Sequence, residues 1–228
     1  MKNLLAIGLL LISVQTVIAQ KIDTIYYDAN WKGVANKDLA YFIRIASKAA
    51  NDSHNSTFKD FYITGEHQTD EVIAIYIDKI DDAKSKVKGH ISSYYKSGQK
   101  QYECTKNDSC QLEGEATSYY ENGILKSKDL YKNGLLQELT IWNENGVKIR
   151  FLKGPLVNGK FEGELTEFYE NGLRKNKGII KDGKFIGTFY QFNLDGSYCE
   201  IEYKDGQPKK DYILVGLNGK RTKMKLNQ

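Results

Sequence analysis

The sequence predicts an all-β protein, an elongated and twisted antiparallel sheet that runs as a β-meander of hairpin repeats. The 228 residues include 16 Tyr, 9 Phe and 2 Trp, against 20 Gly and only 2 Pro. That mixture favours strands and tight turns over helices. An aromatic residue shortly before a turn glycine recurs with a period of about 24 residues, and a second Asn-Gly or Asp-Gly series interleaves with it. Self-similarity at such a period is typical of repeat architectures.

Composition and motifs exclude several classes of function. Charged residues make up 27% of the chain and hydrophobic residues 40%, as in an ordinary folded protein. The net charge of +4 is too small to indicate a nucleic-acid binder. Three cysteines with no CxxC pair do not suit a zinc finger. No nucleophile elbow, dinucleotide fingerprint, P-loop or HExxH motif occurs, so we expect no enzyme activity, no cofactor and no metal site.

The first nineteen residues have the layout of a secretory signal peptide. Lys2 gives a positive start, Leu4 to Ile12 form a short apolar run, and Val17-Ile18-Ala19 precedes a cleavage point before Gln20. The run is shorter than the roughly 20 residues that span a bilayer. No Cys stands at the cleavage point. We therefore expect a periplasmic or extracellular protein that is not a lipoprotein, with no transmembrane segment in the mature chain.

Residues 20–88 form a less regular β-rich lead segment or cap with a weak repeat. Strand-like runs occur at Ile22–Tyr27, Phe58–Thr64 and Val72–Ile77. Residues 41–45 are rich in strand formers, but residues 38–50 could instead form one short amphipathic helix. The polar run at residues 51–56 is typical of a turn.

Residues 89–206 carry the regular repeats. Each period holds two strands joined by tight turns, and Asn-Gly and Asp-Gly predict type I′ turns with positive φ at both central residues. The predicted turn glycines are Gly98, Gly123, Gly134, Gly146, Gly159, Gly172, Gly183, Gly196 and Gly206. Since one hairpin cannot bury a face alone, each repeat must be stabilised by its neighbours.

The repeat pattern resembles the bacterial variant of the MORN repeat. It consists of Gly-Glu, an aromatic pair with Glu-Asn-Gly, and a second Asn-Gly about ten residues later, as in residues 114–134 and 163–183. Gln137-Glu138 and Lys153-Gly154-Pro155 depart from it. The resemblance is to exported proteins of the kind assigned to YwqK-type antitoxins of toxin–antitoxin systems. It implies strand arrays used for binding or scaffolding, and it brings no catalytic residues.

Adjacent aromatic residues indicate a binding face. Because neighbouring strand residues point to opposite faces, both faces of the sheet should carry rings. Exposed aromatic surface marks a partner site, whereas rings packed from repeat to repeat are structural, and the two interpretations are compatible. The candidate binding residues are Tyr94, Tyr95, Tyr119, Tyr120, Trp142, Phe168 and Tyr169.

Cys104 and Cys110 flank a five-residue loop where neighbouring repeats make a hairpin. Strand residues beside a tight loop can face each other within disulfide reach, and export permits oxidation. The alternative is a pair of reduced thiols that point apart.

Residues 207–228 form a basic C-terminal cap. Its cations suit either contact with an anionic membrane or protection of an edge strand against pairing with another chain. The basic residues of this tail are Lys209, Lys210, Lys220, Arg221, Lys223 and Lys225.

Three functions follow from these features. The first is an exported non-catalytic protein that binds a protein or cell-envelope partner through its sheet. The second, implied by the resemblance, is an antitoxin or immunity protein that neutralises a dedicated toxin. The third is a peripheral envelope protein that binds anionic lipid.

Overall fold

The computed structural model describes residues 21–48 and 55–225. The predicted signal peptide lies outside the described residues, as does most of the predicted turn at residues 51–56. Strands are all antiparallel to their neighbours. The lead segment contains β1 (Lys21–Tyr27), β2 (Phe42–Lys48), β3 (Ser56–Tyr62) and β4 (Val72–Tyr76). Short 3₁₀ turns lie at Lys37–Leu39 and Asp82–Lys84.

The remaining strands follow in chain order. The next seven are β5 (Lys86–Tyr94), β6 (Lys100–Lys106), β7 (Gly114–Tyr119), β8 (Leu125–Lys132), β9 (Leu135–Trp142), β10 (Lys148–Lys153) and β11 (Leu156–Val157). The last seven are β12 (Lys160–Phe161), β13 (Gly163–Phe168), β14 (Arg174–Lys181), β15 (Lys184–Phe192), β16 (Tyr198–Lys204), β17 (Gln207–Val215) and β18 (Arg221–Lys225).

Sixteen of these strands form one open sheet in the order of the chain, from β1 at one edge to β18 at the other. This confirms the predicted β-meander. The strand alternative for residues 41–45 is confirmed by β2, which runs from Phe42 to Lys48 after the 3₁₀ turn at Lys37–Leu39. The hairpin of β11 and β12 stands apart from the sheet, and β10 pairs directly with β13 beneath it.

Two glycines, each close to a neighbouring backbone segment, allow the hairpin of β11 and β12 to be inserted between β10 and β13. Gly154 and Gly163 lie where the chain leaves and rejoins the sheet, with φ of 147° and 139°. A Cβ atom on Gly154 would come within 1.9 Å of the Glu162 carbonyl oxygen. Only glycine fits at such a distance, which explains why Lys153-Gly154-Pro155 departs from the repeat pattern.

The two glycine series form different turns at opposite rims of the sheet. Four turns are two-residue turns of the expected type I′, since both central residues have positive φ. They lie at residues 133–134, 158–159, 182–183 and 205–206. The other series was expected to be the same, and that expectation is wrong. Its turns span five residues and place only the fourth residue at positive φ.

We call the rim with the five-residue turns the first rim. In each turn the first N–H donates to the fifth carbonyl and the fourth N–H donates to the first carbonyl, as in a type I turn with a G1 bulge. These first-rim turns are residues 62–66, 95–99, 120–124, 143–147, 169–173, 193–197 and 216–220. Two further turns of this form lie at 28–32 on the first rim and at 107–111 on the opposite rim, and they place Trp31 and Cys110 in the left-handed region.

The lead segment holds most of the fully buried hydrophobic side chains. One cluster contains Ile25, Tyr27, Phe42 and Tyr62, and the other contains Ala46, Phe58, Val72 and Ala74. In the repeats, the buried hydrophobic residues are Cys104, Ala116, Leu165 and Val215. We call the face that carries the two lead clusters the inner face and the opposite face the outer face.

A buried arginine lies between the two lead clusters. Arg44 on β2 is 2% exposed and donates to both carboxylate oxygens of Asp60 on β3 at 2.8 Å. Its third contact is with Asp82, at 2.5 Å, and its guanidinium lies 3.7 Å from the ring centre of Phe58. Burial by itself would lower the pKa of Arg44. The hydrogen bonds to Asp60 and Asp82, together with the negative charges of these two residues, outweigh that effect and raise the pKa of Arg44.

Replacing glycine at the left-handed turn position should lower the stability of the protein, and introducing glycine at that position should raise it. Gly172→Ala should lower the free energy of unfolding by about 1 kcal/mol, because an L-residue is strained there. A Cβ atom at Gly172 meets nothing within 4 Å, so no steric clash contributes. Cys110→Gly should raise the free energy of unfolding by about 0.5 kcal/mol. The reason is that relief of the backbone strain at this position exceeds the extra conformational entropy that glycine loses on folding. Denaturant titration measures both, and equal signs would contradict the turn assignment.

Removing the buried arginine should be the most damaging single change in the lead segment. Arg44→Leu leaves the Asp60 carboxylate buried without a partner, and we expect a loss of about 3–5 kcal/mol in the free energy of unfolding. The matched control is Arg221→Leu, which breaks an exposed ion pair with Glu200 and should cost under about 1 kcal/mol. The double change Arg44→Leu with Asp60→Leu should be less destabilising than Arg44→Leu alone, and a larger loss would contradict this account.

Candidate functional site

A row of aromatic and cationic side chains follows the first rim on the outer face. Each member pairs with another across neighbouring strands, as Tyr94 does with Lys100 and Trp142 does with Lys148. We call these residues the outer row. The outer row consists of Tyr94, Lys100, Tyr119, Leu125, Trp142, Lys148, Phe168, Arg174, Phe192, Tyr198, Val215 and Arg221.

Cations lie between rings of the outer row. The Lys148 ammonium is 5.9 Å from the ring centre of Trp142 and also 5.9 Å from that of Phe168. The Arg174 guanidinium is 5.3 Å from the ring centre of Phe192. These distances suit cation–π attraction, which holds each cation against a ring on an adjacent strand. From Trp142 to Phe192 the row therefore alternates aromatic and positive groups.

One carboxylate on the outer face accepts hydrogen bonds from three side chains near the start of the outer row. Glu103 accepts hydrogen bonds from Lys100 at 2.7 Å, Thr117 at 2.9 Å and Tyr119 at 3.0 Å. The hydrogen bond from Lys100 is the largest cause that lowers the pKa of Glu103. The ring of Tyr119 and the ammonium of Lys100 are thus held in place by a charged acceptor.

A ladder of tyrosine hydroxyls links successive first-rim turns. Tyr62 donates to the carbonyl of Tyr94 at 2.9 Å, and Tyr95 donates to that of Tyr119 at 2.7 Å. Two further rungs join Tyr120 to Trp142 at 2.9 Å and Tyr169 to Phe192 at 2.7 Å. Each acceptor carbonyl belongs to a residue whose ring stands in the outer row. The ladder therefore fixes the distance between the rings of consecutive repeats.

The predicted binding residues accordingly divide into two sets. Tyr94, Tyr119, Trp142 and Phe168 stand in the outer row, whereas Tyr95, Tyr120 and Tyr169 begin turns and form the ladder. All seven are half-buried. Tyr94 contacts the ring of His67, and lysine ammonium groups lie near the rings of Tyr120, Trp142, Phe168 and Tyr169, so contacts within the sheet account for part of this burial.

The cysteine pair is not bridged in the structure. Cys104 is buried on β6, and Cys110 occupies the left-handed position of the turn at 107–111, with φ of 63°. Both thiols are free, as is that of Cys199. The physical reason is that Cys110 replaces the turn glycine and does not lie in a strand opposite Cys104. Burial raises the pKa of the Cys104 thiol, which disfavours the reactive thiolate.

The basic tail lies on the last two strands and the turn between them. All six of its cations are exposed. Arg221 pairs with Glu200, and Lys223 pairs with Asp211 at 2.8 Å. Neighbouring strands therefore offset part of the positive charge of the tail.

Sequence reasoning missed the role of one acidic residue in the loop after β4. Asp82 lies close in sequence to Asp78 and Asp81, and its carboxylate accepts a hydrogen bond from the buried Arg44. No sequence signal links residues so far apart. Within residues 21–48 and 55–225 there is no group of three or more His, Cys, Asp or Glu that could hold a metal ion. The same residues contain no helix with the length and hydropathy to cross a membrane.

One complete hairpin of the sheet matches a known repeat. Residues 112–133, which contain β7, its first-rim turn and β8, match the family model described as MORN repeat variant. This hairpin is therefore similar to a MORN repeat variant. Its five-residue turn recurs at residues 169–173 with the same hydrogen bonds, so the matched hairpin and that of β13 and β14 share one design. No curated protein matches the chain.

Removing one rung of the ladder should loosen the hairpin of β7 and β8 from its neighbour. Tyr120→Phe deletes the hydroxyl that bonds to the Trp142 carbonyl, and we expect a loss of about 1 kcal/mol in the free energy of unfolding. Tyr190→Phe is the matched control, because no hydrogen bond of the Tyr190 hydroxyl occurs among the described residues, and it should cost under about 0.5 kcal/mol. Equal effects of the two changes in denaturant titrations would show that the ladder contributes nothing.

Proposed function

We propose that this chain is an exported, non-catalytic repeat protein that binds a protein or cell-envelope partner through the outer face of its sheet. The observation that carries the proposal is the outer row. Aromatic residues and arginine are enriched where proteins bind one another. MORN repeats commonly serve as protein-binding or membrane-binding modules and are generally non-catalytic, which supports this class of function.

The regular spacing of the outer row favours an extended partner. Neighbouring strands lie about 4.8 Å apart, so the rings of β9 and β13, with β10 between them, are separated by about 10 Å. Lys148 occupies the strand between them. A partner that presents apolar groups at a similar interval, with acidic or carbonyl groups between them, would match this surface.

Of the alternative functions, an antitoxin or immunity protein is a specific form of the same proposal, with a toxin as the partner. The anionic-lipid alternative is less well supported. Peripheral attraction to such lipid grows with each free Lys or Arg near the surface. Because Arg221 and Lys223 already have carboxylate partners, the tail offers fewer free charges than its sequence indicates.

Partner binding should depend on the outer row. The test is quantitative capture from the native envelope and medium, with mass spectrometry of bound proteins and lipids. Trp142→Ala combined with Phe168→Ala should weaken retention of the stoichiometric partner by about 30-fold, the effect of losing a hot spot of about 2 kcal/mol. The partner identified in this way is then titrated against the purified chain.

The matched control replaces two aromatic residues of the inner face. Phe185 and Tyr203 contact each other with ring centres 5.5 Å apart on β15 and β16. Phe185→Ala with Tyr203→Ala should leave retention unchanged in a protein that still unfolds cooperatively. Equal retention by the outer-row and wild-type proteins would contradict the proposal. Salt-sensitive capture of anionic lipid alone would replace it with the lipid function.

Export should be accompanied by cleavage before Gln20. When the full chain is produced in its native host, intact mass spectrometry of the envelope or medium fraction should find a protein that begins at Gln20. The control is Leu9→Arg with Leu10→Arg, which interrupts the apolar run and should retain the chain in the cytoplasm. Recovery of wild-type chain that still begins at residue 1 would contradict this proposal.

A further inference from the structure

A cavity lies on the inner face, on the side of the sheet opposite the outer row. Its volume is ≈ 430 Å³, within the range of about 300–1,000 Å³ of small-molecule sites. Residues of β4, β5, β6 and the loop before Lys86–Tyr94 contribute its walls. The apolar side chains that line it include those of Trp31, Phe58, Val72, Val87, Ile91 and Leu112.

One buried acceptor in the cavity wall has no partner among residues 21–48 and 55–225. Gln68 is 6% exposed, and its Oε1 atom makes no hydrogen bond within this described part of the chain. The residue is fixed by its backbone, since its N–H donates to the Asp60 carbonyl and its own carbonyl accepts from Tyr94, each at 2.8 Å. A buried carbonyl oxygen without a donor is unusual in a folded protein and indicates a missing partner.

The charges that line the cavity are balanced. Arg44 and Lys106 carry two positive charges, and Asp60 and Asp82 carry two negative charges. Arg44 is already engaged by both carboxylates. The walls therefore carry no net charge that would favour an ionic ligand, and an ion without a partner would lose more hydration than such a site returns.

We propose that this cavity binds a neutral, largely apolar small molecule that donates one N–H or O–H hydrogen bond to Oε1 of Gln68. The apolar walls supply the hydrophobic contact and Gln68 selects for the donor. The site is independent of the outer row, so its failure leaves the proposed partner binding untouched.

Phenylnaphthylamine is a suitable probe, because it is neutral, apolar and fluorescent and has a single N–H donor. Its fluorescence on titration with the purified protein should saturate at one probe per chain. Gln68→Leu should weaken its binding by about tenfold, the effect of one hydrogen bond. The N-methyl derivative, which has no donor, should bind wild type and Gln68→Leu with equal affinity.

Two further variants distinguish the cavity from the rest of the surface. Val87→Phe fills the cavity and should abolish saturable binding of both probes. Gln207→Leu removes an exposed glutamine on β17 and should change neither affinity. Thermal unfolding confirms that each variant is folded. The proposal is overturned by absence of saturable binding, by full binding in Val87→Phe, or by an equal effect of Gln68→Leu on both probes.

Discussion

The left-handed residue in each first-rim turn is the constraint on which the rest of the sheet depends. A five-residue turn closes only when its fourth residue has positive φ, and glycine supplies that conformation at Gly123, Gly146 and Gly172. The turn fixes which strand residues face each other, because a slip of one position would move every side chain to the other face. The outer row and the tyrosine ladder both follow from that register. Trp31 and Cys110 take the position that glycine has in the other five-residue turns. The same two backbone hydrogen bonds keep these residues in the strained left-handed conformation.

The lead segment and the repeats are stabilised in different ways. In the lead segment, two hydrophobic clusters enclose the ion pair of Arg44 and Asp60. Each of these charges is tolerated in the interior because the other one neutralises it and forms hydrogen bonds with it. The repeats bury few side chains completely. Their stability comes from strand pairing, ring-to-cation contacts such as Lys148 between Trp142 and Phe168, and ladder hydrogen bonds to the next turn. Stability of this kind is a sum over neighbours, as in other repeat proteins.

The two faces of the sheet have separate chemistry. The outer row presents rings and cations in a line, which suits a long partner. The inner face of the lead segment has a cavity with apolar walls and the unpartnered Oε1 of Gln68, which suits a small neutral ligand. β5 and β6 contribute to both, through Tyr94 and Lys100 on the outer face and Ile91 and Cys104 on the inner face.

The sequence by itself determined the sheet, the repeat period and the position of the turns, because strand formers and turn glycines act locally on the backbone. It also identified the aromatic residues that meet along the first rim. It did not distinguish the five-residue turns from the two-residue ones, since Asn-Gly is compatible with both, and it placed Cys110 in a strand when the residue takes the glycine position of a turn. Only the tertiary structure decided that Asp82 reaches Arg44 and that Gln68 lines a cavity. Those contacts join distant segments, and their energy depends on burial that no local pattern records.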